Sequence, residues 1–223
     1  ELHPFLYTHC WWHLALLQCE SREFESAIQI FDERLWPETP EASEREKDPQ
    51  VQLNALNLLW RLETRGEATA RPLWAKVLRG CRGVTLPTAD GAKGTCQHSD
   101  LLLDVLLVRA LCVSASQDPK PLDAFLASAQ AHAQELSASA GGAGGRAEAY
   151  ESIIRLVADL FRSDQPEAGL PARQSLARQE LRELRPSWGS VGGSEEQRGV
   201  LLEAVEGPVV SGEPEKNFST LFL

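Results

Sequence analysis

The sequence predicts an all-α fold, an α-solenoid of stacked antiparallel helical hairpins. Nearly every apolar segment repeats at the three- and four-residue spacing that lines one face of a helix. No segment shows the alternation of apolar and polar residues that is typical of a half-buried strand. Turn-forming residues separate successive apolar segments, so that consecutive helices can pair as hairpins.

The first predicted hairpin consists of helices over 9–20 and 22–36. Ser21 lies between them, and its side chain is a suitable N-cap for the second helix. The stretch 37–49 contains three prolines and seven charged residues. This composition cannot build a core, so we expect a solvated connection there.

Two helices are predicted in the next part of the chain. The first follows Pro49, is apolar on most sides and ends near Gly66, which indicates a buried helix. The second is shorter, with Pro72 in its first turn and with Gly80 and Gly83 stopping it.

The central part of the chain is predicted to hold its most apolar helix, over 101–113. A loop over 82–98 precedes it, and either Ser99 or Asp100 can cap it. The length and charges of this segment exclude a membrane span and favour a central, buried helix. A helix with one continuous apolar stripe, over 122–136, follows as its partner.

The last third of the chain is predicted to contain a linker, three helices and a loose tail. The Gly- and Ala-rich stretch 137–145 has the composition of a flexible linker. The helices are expected over 150–161, 172–185 and 194–206. We therefore expect roughly nine helices in a single domain over 1–206, followed by a loosely ordered tail over 207–223.

Composition restricts the partners and the compartment. The 223 residues carry a formal net charge of −10, which disfavours nucleic acid and anionic membranes. No apolar run reaches the length of a membrane span, and no signal peptide is visible. The five cysteines form no Cys-x-x-Cys pair and are odd in number, which favours a reducing, cytoplasmic location. No motif for a cofactor is present, and none is predicted.

A period of about 34 residues is the repeat length of tetratricopeptide hairpins. Residues 8–41 match the tetratricopeptide pattern at six positions, which are Trp11, Leu14, Ala15, Phe24, Ala27 and Phe31. The small residues among them let two helices approach, and the bulky ones fill the groove between neighbouring hairpins.

Three longer stretches carry a more specific resemblance. They are THCWWHLALLQCESREFESAIQIFDERLWP, LNLLWRLETRG with PLWAKV behind it, and LRPSWGSVGGSEEQRGVLLEA. In their order and wording they resemble the C-terminal half of the tetratricopeptide repeat protein 38 family. The resemblance implies a tetratricopeptide-like solenoid and no particular reaction. Together with the absence of methionine, it leads us to expect that the chain is the C-terminal part of a longer protein.

Two histidines on the first predicted helix are candidate site residues. His9 and His13 lie four residues apart and therefore share a helix face. The segment HCWWH lacks the glutamate of a zinc-protease helix, so no metal site is predicted. Tryptophans cluster in the same part of the chain, and we expect His9, Trp12, His13 and Trp60 to line a partner-binding groove.

The Gly-Gly-Ser sequence before the last helix has a structural explanation. Ser194 can accept a hydrogen bond from the backbone of Gln197, whose side chain can accept one from Ser194. The two glutamates between them suit the positive end of a helix and would repel a phosphate group. We therefore predict a capping box and no catalytic residue.

The function predicted from the sequence is that of a noncatalytic scaffold that binds a protein or peptide. The negative charge favours a basic or amphipathic partner. A second hypothesis is an enzyme or small-ligand binder that uses a pocket of histidine and tryptophan on the first hairpin. In a third, the first helix packs on absent upstream repeats, which leaves an apolar face exposed and promotes self-association.

Overall fold

The fold is described from a computed structural model over residues 3–87, 96–115, 118–139, 144–162 and 170–206. Within these ranges the chain forms ten α-helices and no strand, with one isolated bridge between Arg82 and Leu86. The helices are α1 Pro4–Glu20, α2 Phe24–Ile30, α3 Pro40–Arg45, α4 Pro49–Thr64, α5 Arg71–Cys81, α6 Leu101–Ser114, α7 Lys120–Ser139, α8 Gly144–Phe161, α9 Leu170–Glu183 and α10 Glu195–Glu206. The all-α prediction is confirmed.

The helices pack in chain order around three central helices, which are α4, α6 and α8. Helix α1 contacts α4, α4 contacts α6, and α6 contacts α8. Helices α2, α5, α7 and α9 each pack against the helix that precedes them, and α5 and α7 also contact the central helix that follows. Helix α10 departs from this order, because it contacts both α9 and the distant α4.

The central helices are buried because their sequences leave almost no polar face. Residues 51–60 of α4 and 101–108 of α6 are buried without interruption. The few polar side chains inside these runs have partners: Gln52 donates to the Glu46 carbonyl at 2.9 Å and accepts from the Thr85 hydroxyl at 2.7 Å. Paired in this way, a buried amide does not lose the hydrogen bonds that water would give it.

The boundary of the first hairpin differs from the prediction. Ser21 ends α1 instead of capping α2, and its backbone amide bonds to the Leu17 carbonyl at 3.0 Å. Arg22 then takes a positive φ of 59°, which reverses the chain before α2 begins at Phe24. The helix continues beyond Ile30 as a π-helical turn over Phe31–Leu35.

The segment expected to be a solvated connection contains the additional helix α3. Thr39 caps it by accepting from the Ala42 amide at 3.2 Å, and Pro40 follows in the first position. Proline is favoured there because its missing N–H has no helical partner to lose. Because this segment is rich in proline and charged residues, we expected no helix in it, although Thr39 and Pro40 are typical of a helix N-terminus.

The structure can also be compared with the predicted start of α6, end of α5, linker and tail. Asp100, not Ser99, caps α6, with its Oδ1 accepting from the amides of Leu102 and Leu103 at 2.9 and 3.1 Å. Gly80 does not stop α5 but lies inside it, whereas Gly83 follows the helix with φ 75°. Residues 140–143 of the predicted linker and the whole predicted tail, 207–223, lie outside the described residues.

Candidate functional site

The histidine pair predicted from the sequence forms on α1. The two Nε2 atoms of His9 and His13 lie 3.2 Å apart, so one ring donates a hydrogen bond to the other. His9 stacks on Trp12 with 5.3 Å between ring centroids, and its Nδ1 lies 3.5 Å from Asn54 Oδ1. Burial and the neighbouring His9 lower the pKa of His13, while Glu196 acts to raise it.

The two tryptophans predicted for the groove lie in the core. Trp12 and Trp60 have no exposed surface, and Trp60 packs edge-on against Phe161 with ring centroids 5.2 Å apart. The expectation that they line an accessible groove is therefore corrected: their side chains fill the space between helices. Trp11 is the partly exposed ring of the adjacent pair, and the Arg34 guanidinium lies 4.9 Å from its centroid.

Both hydrogen bonds of the predicted capping box are present at the start of α10. Ser194 donates its backbone N–H to Gln197 Oε1 at 2.9 Å, and Gln197 donates its backbone N–H to Ser194 Oγ at 3.2 Å. The Gln197 side chain makes a further contact that local sequence does not predict, because its Nε2 donates to Asn54 Oδ1 of α4 at 3.3 Å. The cap therefore also attaches α10 to α4.

A polar seam on α4 continues this attachment along the length of α10. It consists of Asn54, Asn57, Arg61 and Thr64, which lie on one face of the helix because they are spaced by three or four residues. Asn57 Nδ2 donates to the Gln197 carbonyl at 2.8 Å. Arg61 Nη2 donates to the Glu196 carbonyl. The face of α4 that would otherwise be open to a ligand is thus covered by α10.

Glu203 is the anionic centre of the seam. Its Oε1 accepts from Arg61 Nη1 at 2.8 Å and from Arg65 Nη1 at 3.0 Å, and its Oε2 accepts from the Thr64 hydroxyl at 2.7 Å. Burial acts to lower the pKa of Arg65, but the carboxylates of Glu203 and Glu20 outweigh it and raise that pKa. No sequence motif indicates this cluster, because Glu203 and its partners on α4 are distant in the chain.

An apolar stripe on α1 remains exposed. Four large hydrophobic side chains of the described residues are exposed, and three of them, Leu6, Leu14 and Leu17, are on this helix. Their exposed fractions are 44%, 39% and 64%. Cys10 is exposed between them, at the spacing that completes one continuous face. This stripe is the free surface expected if the first helix has a packing partner outside these residues.

A second polar cluster, which the sequence analysis did not identify, joins the segment before α6 to α6, α7 and α8. His98 Nδ1 lies 2.9 Å from Asp104 Oδ2, and His98 Nε2 lies 2.8 Å from Ser128 Oγ. The Tyr150 hydroxyl donates to the same Asp104 oxygen at 2.7 Å. The one sequence signal for this cluster was the carboxylate of Asp104 in the largely apolar helix α6.

Burial dominates the electrostatics of this cluster. It raises the pKa of Asp104, while the hydrogen bonds from His98 and Tyr150 oppose that rise. Burial and the nearby Asp104 carboxylate also raise the pKa of Tyr150 above its usual range. The phenol is therefore a hydrogen-bond donor at neutral pH, which fixes the orientation of the carboxylate.

The placement of potential metal ligands also bears on what these clusters can bind. Among the residues that the structure describes, no group of three histidine, cysteine, aspartate or glutamate side chains is placed to hold a metal ion.

Within the described part of the chain, no helix is both long and apolar enough to cross a membrane.

Comparisons with known proteins add no relationship to this geometry. No protein-family model, no curated protein and no solved structure matches the chain.

Proposed function

We propose that this protein is a tetratricopeptide-like scaffold that binds an amphipathic segment of another protein through the exposed stripe of α1. The observation that carries the proposal is the placement of Leu6, Leu14 and Leu17 on one face of a helix. Exposed apolar side chains that adjoin one another are typical of interaction surfaces, whereas single ones are common everywhere. The bound segment would lay its own apolar face against this stripe.

The order of helix contacts supports a solenoid of hairpins as the framework. In such a solenoid the first helix of each hairpin packs against the first helix of the next, as α1, α4, α6 and α8 do. The second helix of a hairpin also reaches the next hairpin, as α5 and α7 do. A terminal helix in this arrangement keeps one face that has no neighbour, and α1 occupies that position among the described residues.

Charge favours a basic partner over an acidic one. The chain carries a net charge of −10. A partner helix with an apolar face and lysines or arginines beside it would complement both the stripe and the surrounding potential. The proposed binding surface thus lies on α1, since the polar face of α4 is already covered by α10.

A synthetic helix of leucine and lysine, with all leucines on one face, tests this proposal. Its affinity for the full chain is measured by fluorescence anisotropy, with a scrambled peptide of the same composition as a reference. We expect Leu17→Glu to weaken binding about tenfold, because a leucine contact contributes roughly 1.5 kcal/mol or more.

Leu176→Glu is the matched control, because Leu176 is exposed to 54% on α9 and the substitution adds the same charge. It should leave the affinity unchanged. Equal weakening by both substitutions, or equal affinity for the scrambled peptide, would reject the stripe of α1 as the binding surface.

The alternative of a reactive or ligand-binding pocket at His9 and His13 receives less support from the geometry. The hydrogen-bonding contacts described for this pair are the one between the two rings and the one between His9 and the Asn54 amide. His13 is exposed at the protein surface, and the tryptophans expected to wall the pocket are in the core. An open surface of this kind fits partner binding better than enclosed acid–base chemistry.

A further inference from the structure

We propose that Ser128 is an activated nucleophile for acyl transfer, with His98 as its general base and Asp104 as the group that orients His98. The site uses α6, α7 and the segment before α6, so it is separate from the stripe on α1 and does not depend on the proposed scaffold function. The inference follows from two hydrogen bonds that join Asp104 to His98 and His98 to Ser128. His98 is 6 residues from Asp104 and 30 residues from Ser128 in the chain.

The hydrogen-bond distances define the roles. His98 Nδ1 is 2.9 Å from Asp104 Oδ2, and a carboxylate can only accept, so Nδ1 carries the proton. The other ring nitrogen, Nε2, then has a free lone pair and lies 2.8 Å from Ser128 Oγ. The serine hydroxyl donates to that lone pair. This is the arrangement in which an imidazole removes a proton from a serine, and it is recognised by geometry and not by fold.

Burial is graded across the three side chains in the way that nucleophilic catalysis requires. The side chain of Asp104 is 1% exposed and that of His98 is 5% exposed, whereas Ser128 is only partly buried. The orienting carboxylate and the base are therefore shielded from water, and the hydroxyl is the member of the series nearest to solvent. A base in such surroundings interacts strongly with its partners, because water does not screen them.

The imidazole is also held in place by packing. The His98 ring stacks on His132 with 5.0 Å between centroids and meets the edge of Phe125 at 5.4 Å. The Tyr150 hydroxyl donates to Asp104 Oδ2 and lies 3.3 Å from His98 Nδ1. These contacts fix the ring and the carboxylate, so that Nε2 of His98 stays directed at Ser128.

Cys96 is the competing nucleophile in this cluster. Burial raises the pKa of its thiol, although the neighbouring Ser128 hydroxyl acts to lower it, and a raised pKa disfavours the reactive thiolate. We assign the nucleophile to the serine oxygen because that atom lies 2.8 Å from His98 Nε2, the nitrogen that would take its proton.

The reaction that this arrangement supports is hydrolysis of an ester. Ser128 Oγ forms a bond to the carbonyl carbon while His98 Nε2 takes the hydroxyl proton. The ester C–O bond then breaks, and His98 returns that proton to the departing alkoxide, which leaves as an alcohol. Water attacks the acyl-serine with the same base, releases a carboxylic acid and restores the hydroxyl.

Two probes of the full chain test the assignment. The first is a fluorophosphonate, with the labelled residue identified by mass spectrometry. The second is p-nitrophenyl acetate, with release of p-nitrophenol followed over time. We expect label on Ser128 and loss of at least about 100-fold in the rate of acetate hydrolysis in His98→Gln and Ser128→Ala, which is the size of general-base effects.

Ser139→Ala is the matched control, because Ser139 is an exposed serine on the same helix whose hydroxyl donates to the Glu135 carbonyl at 2.7 Å. It should label and hydrolyse like the unsubstituted chain. Mapping the label in the unsubstituted chain needs no variant, so the result stands even if His98→Gln does not fold. Label on Cys96, equal label on Ser128 and Ser139, or an undiminished rate in a folded His98→Gln chain would each overturn the proposal and leave a structural hydrogen-bond network.

Discussion

Arg61 and Glu203 form an ion pair between residues that are 142 positions apart, with Nη1 of Arg61 2.8 Å from Oε1 of Glu203. The pair joins α4 to α10, and Arg65 and Thr64 bind the same carboxylate. The exposed fractions of the Arg61 and Glu203 side chains are only 12% and 9%. Little water is therefore available to replace either partner, and the docking of α10 depends on all members of the cluster being present.

Glu203→Gln should lower the free energy of unfolding by about 3 kcal/mol. The substitution preserves size but removes the carboxylate that pairs with both Arg61 and Arg65, while Arg65 keeps its ion pair with Glu20. Breaking a buried pair on one side is costly. Urea unfolding monitored by circular dichroism provides the measurement.

Glu180→Gln is the control for this experiment. Glu180 pairs with Arg155 at 3.3 Å, but the two side chains are 38% and 59% exposed. Such a surface pair contributes less than about 1 kcal/mol, so the variant should unfold close to the unsubstituted chain. If the two variants lose the same stability, the Glu203 cluster does not hold α10 in place.

The cap of α10 shows which parts of a site sequence can predict. Ser194 and Gln197 are three residues apart, and a helix start alone brings them together, so their two reciprocal hydrogen bonds are predictable. The bond from Gln197 to Asn54 spans 143 residues and depends on how α10 packs. Spacing within one helix identifies a polar stripe on α4, but it does not identify what covers that stripe.

The two adjacent tryptophans of the first helix also show that local spacing can be predicted from sequence whereas packing cannot. Adjacent positions on a helix point about 100° apart, so only one of Trp11 and Trp12 can face a given layer. We expected Trp12 to face the groove, but Trp12 is the buried ring. Likewise, Asp104 is the one member of the His98, Asp104 and Ser128 cluster with a sequence signal, since it is a carboxylate in a largely apolar helix. Its partners are identified only by how α7 and the segment before α6 pack against α6.

Gly80→Ala should destabilise the chain by about 1 to 3 kcal/mol, although alanine is the better helix former. Gly80 lies within α5, and a Cβ atom there would overlap Cζ2 of Trp36, whose ring is 2% exposed and has little room to move. The midpoint of urea unfolding reports the change. Gly189→Ala is the control, because its added Cβ would meet no atom within 4 Å apart from its chain neighbours and the backbone of its own helix, and it should stay within about 0.5 kcal/mol. Equal midpoints for both variants would contradict close packing at Gly80.

The cysteines should differ strongly in reactivity toward a thiol reagent at mildly alkaline pH. Cys10 is exposed, whereas burial raises the pKa of both Cys19 and Cys81 to about 12, which keeps them protonated. We expect Cys10 to react first with Ellman's reagent, and Cys19 and Cys81 only after unfolding. Cys10→Ser should remove the fast phase. A fast phase that persists in this variant would place another thiol at the surface.

The protonation of His13 should depend on two neighbours with opposite effects. Burial and His9 lower its pKa from 6.5, so the folded chain binds this proton less readily than the unfolded chain does. A depressed histidine pKa means that the free energy of unfolding falls as pH decreases through 6.5 toward the folded pKa, and that this histidine has no effect well above 6.5. The pKa is measured directly from the imidazole resonances of His13 by NMR.

Two substitutions separate the causes. His9→Gln removes the neighbouring ring that disfavours a second positive charge, so the pKa of His13 should rise toward its ordinary value. Glu196→Gln removes the carboxylate that favours the charged ring, so the pKa should fall further. The opposite signs make the test specific, because general loosening of α1 would reduce burial and raise the pKa in both variants. Shifts in the same direction would therefore mean that solvent access, and not the charges of His9 and Glu196, controls the proton on His13.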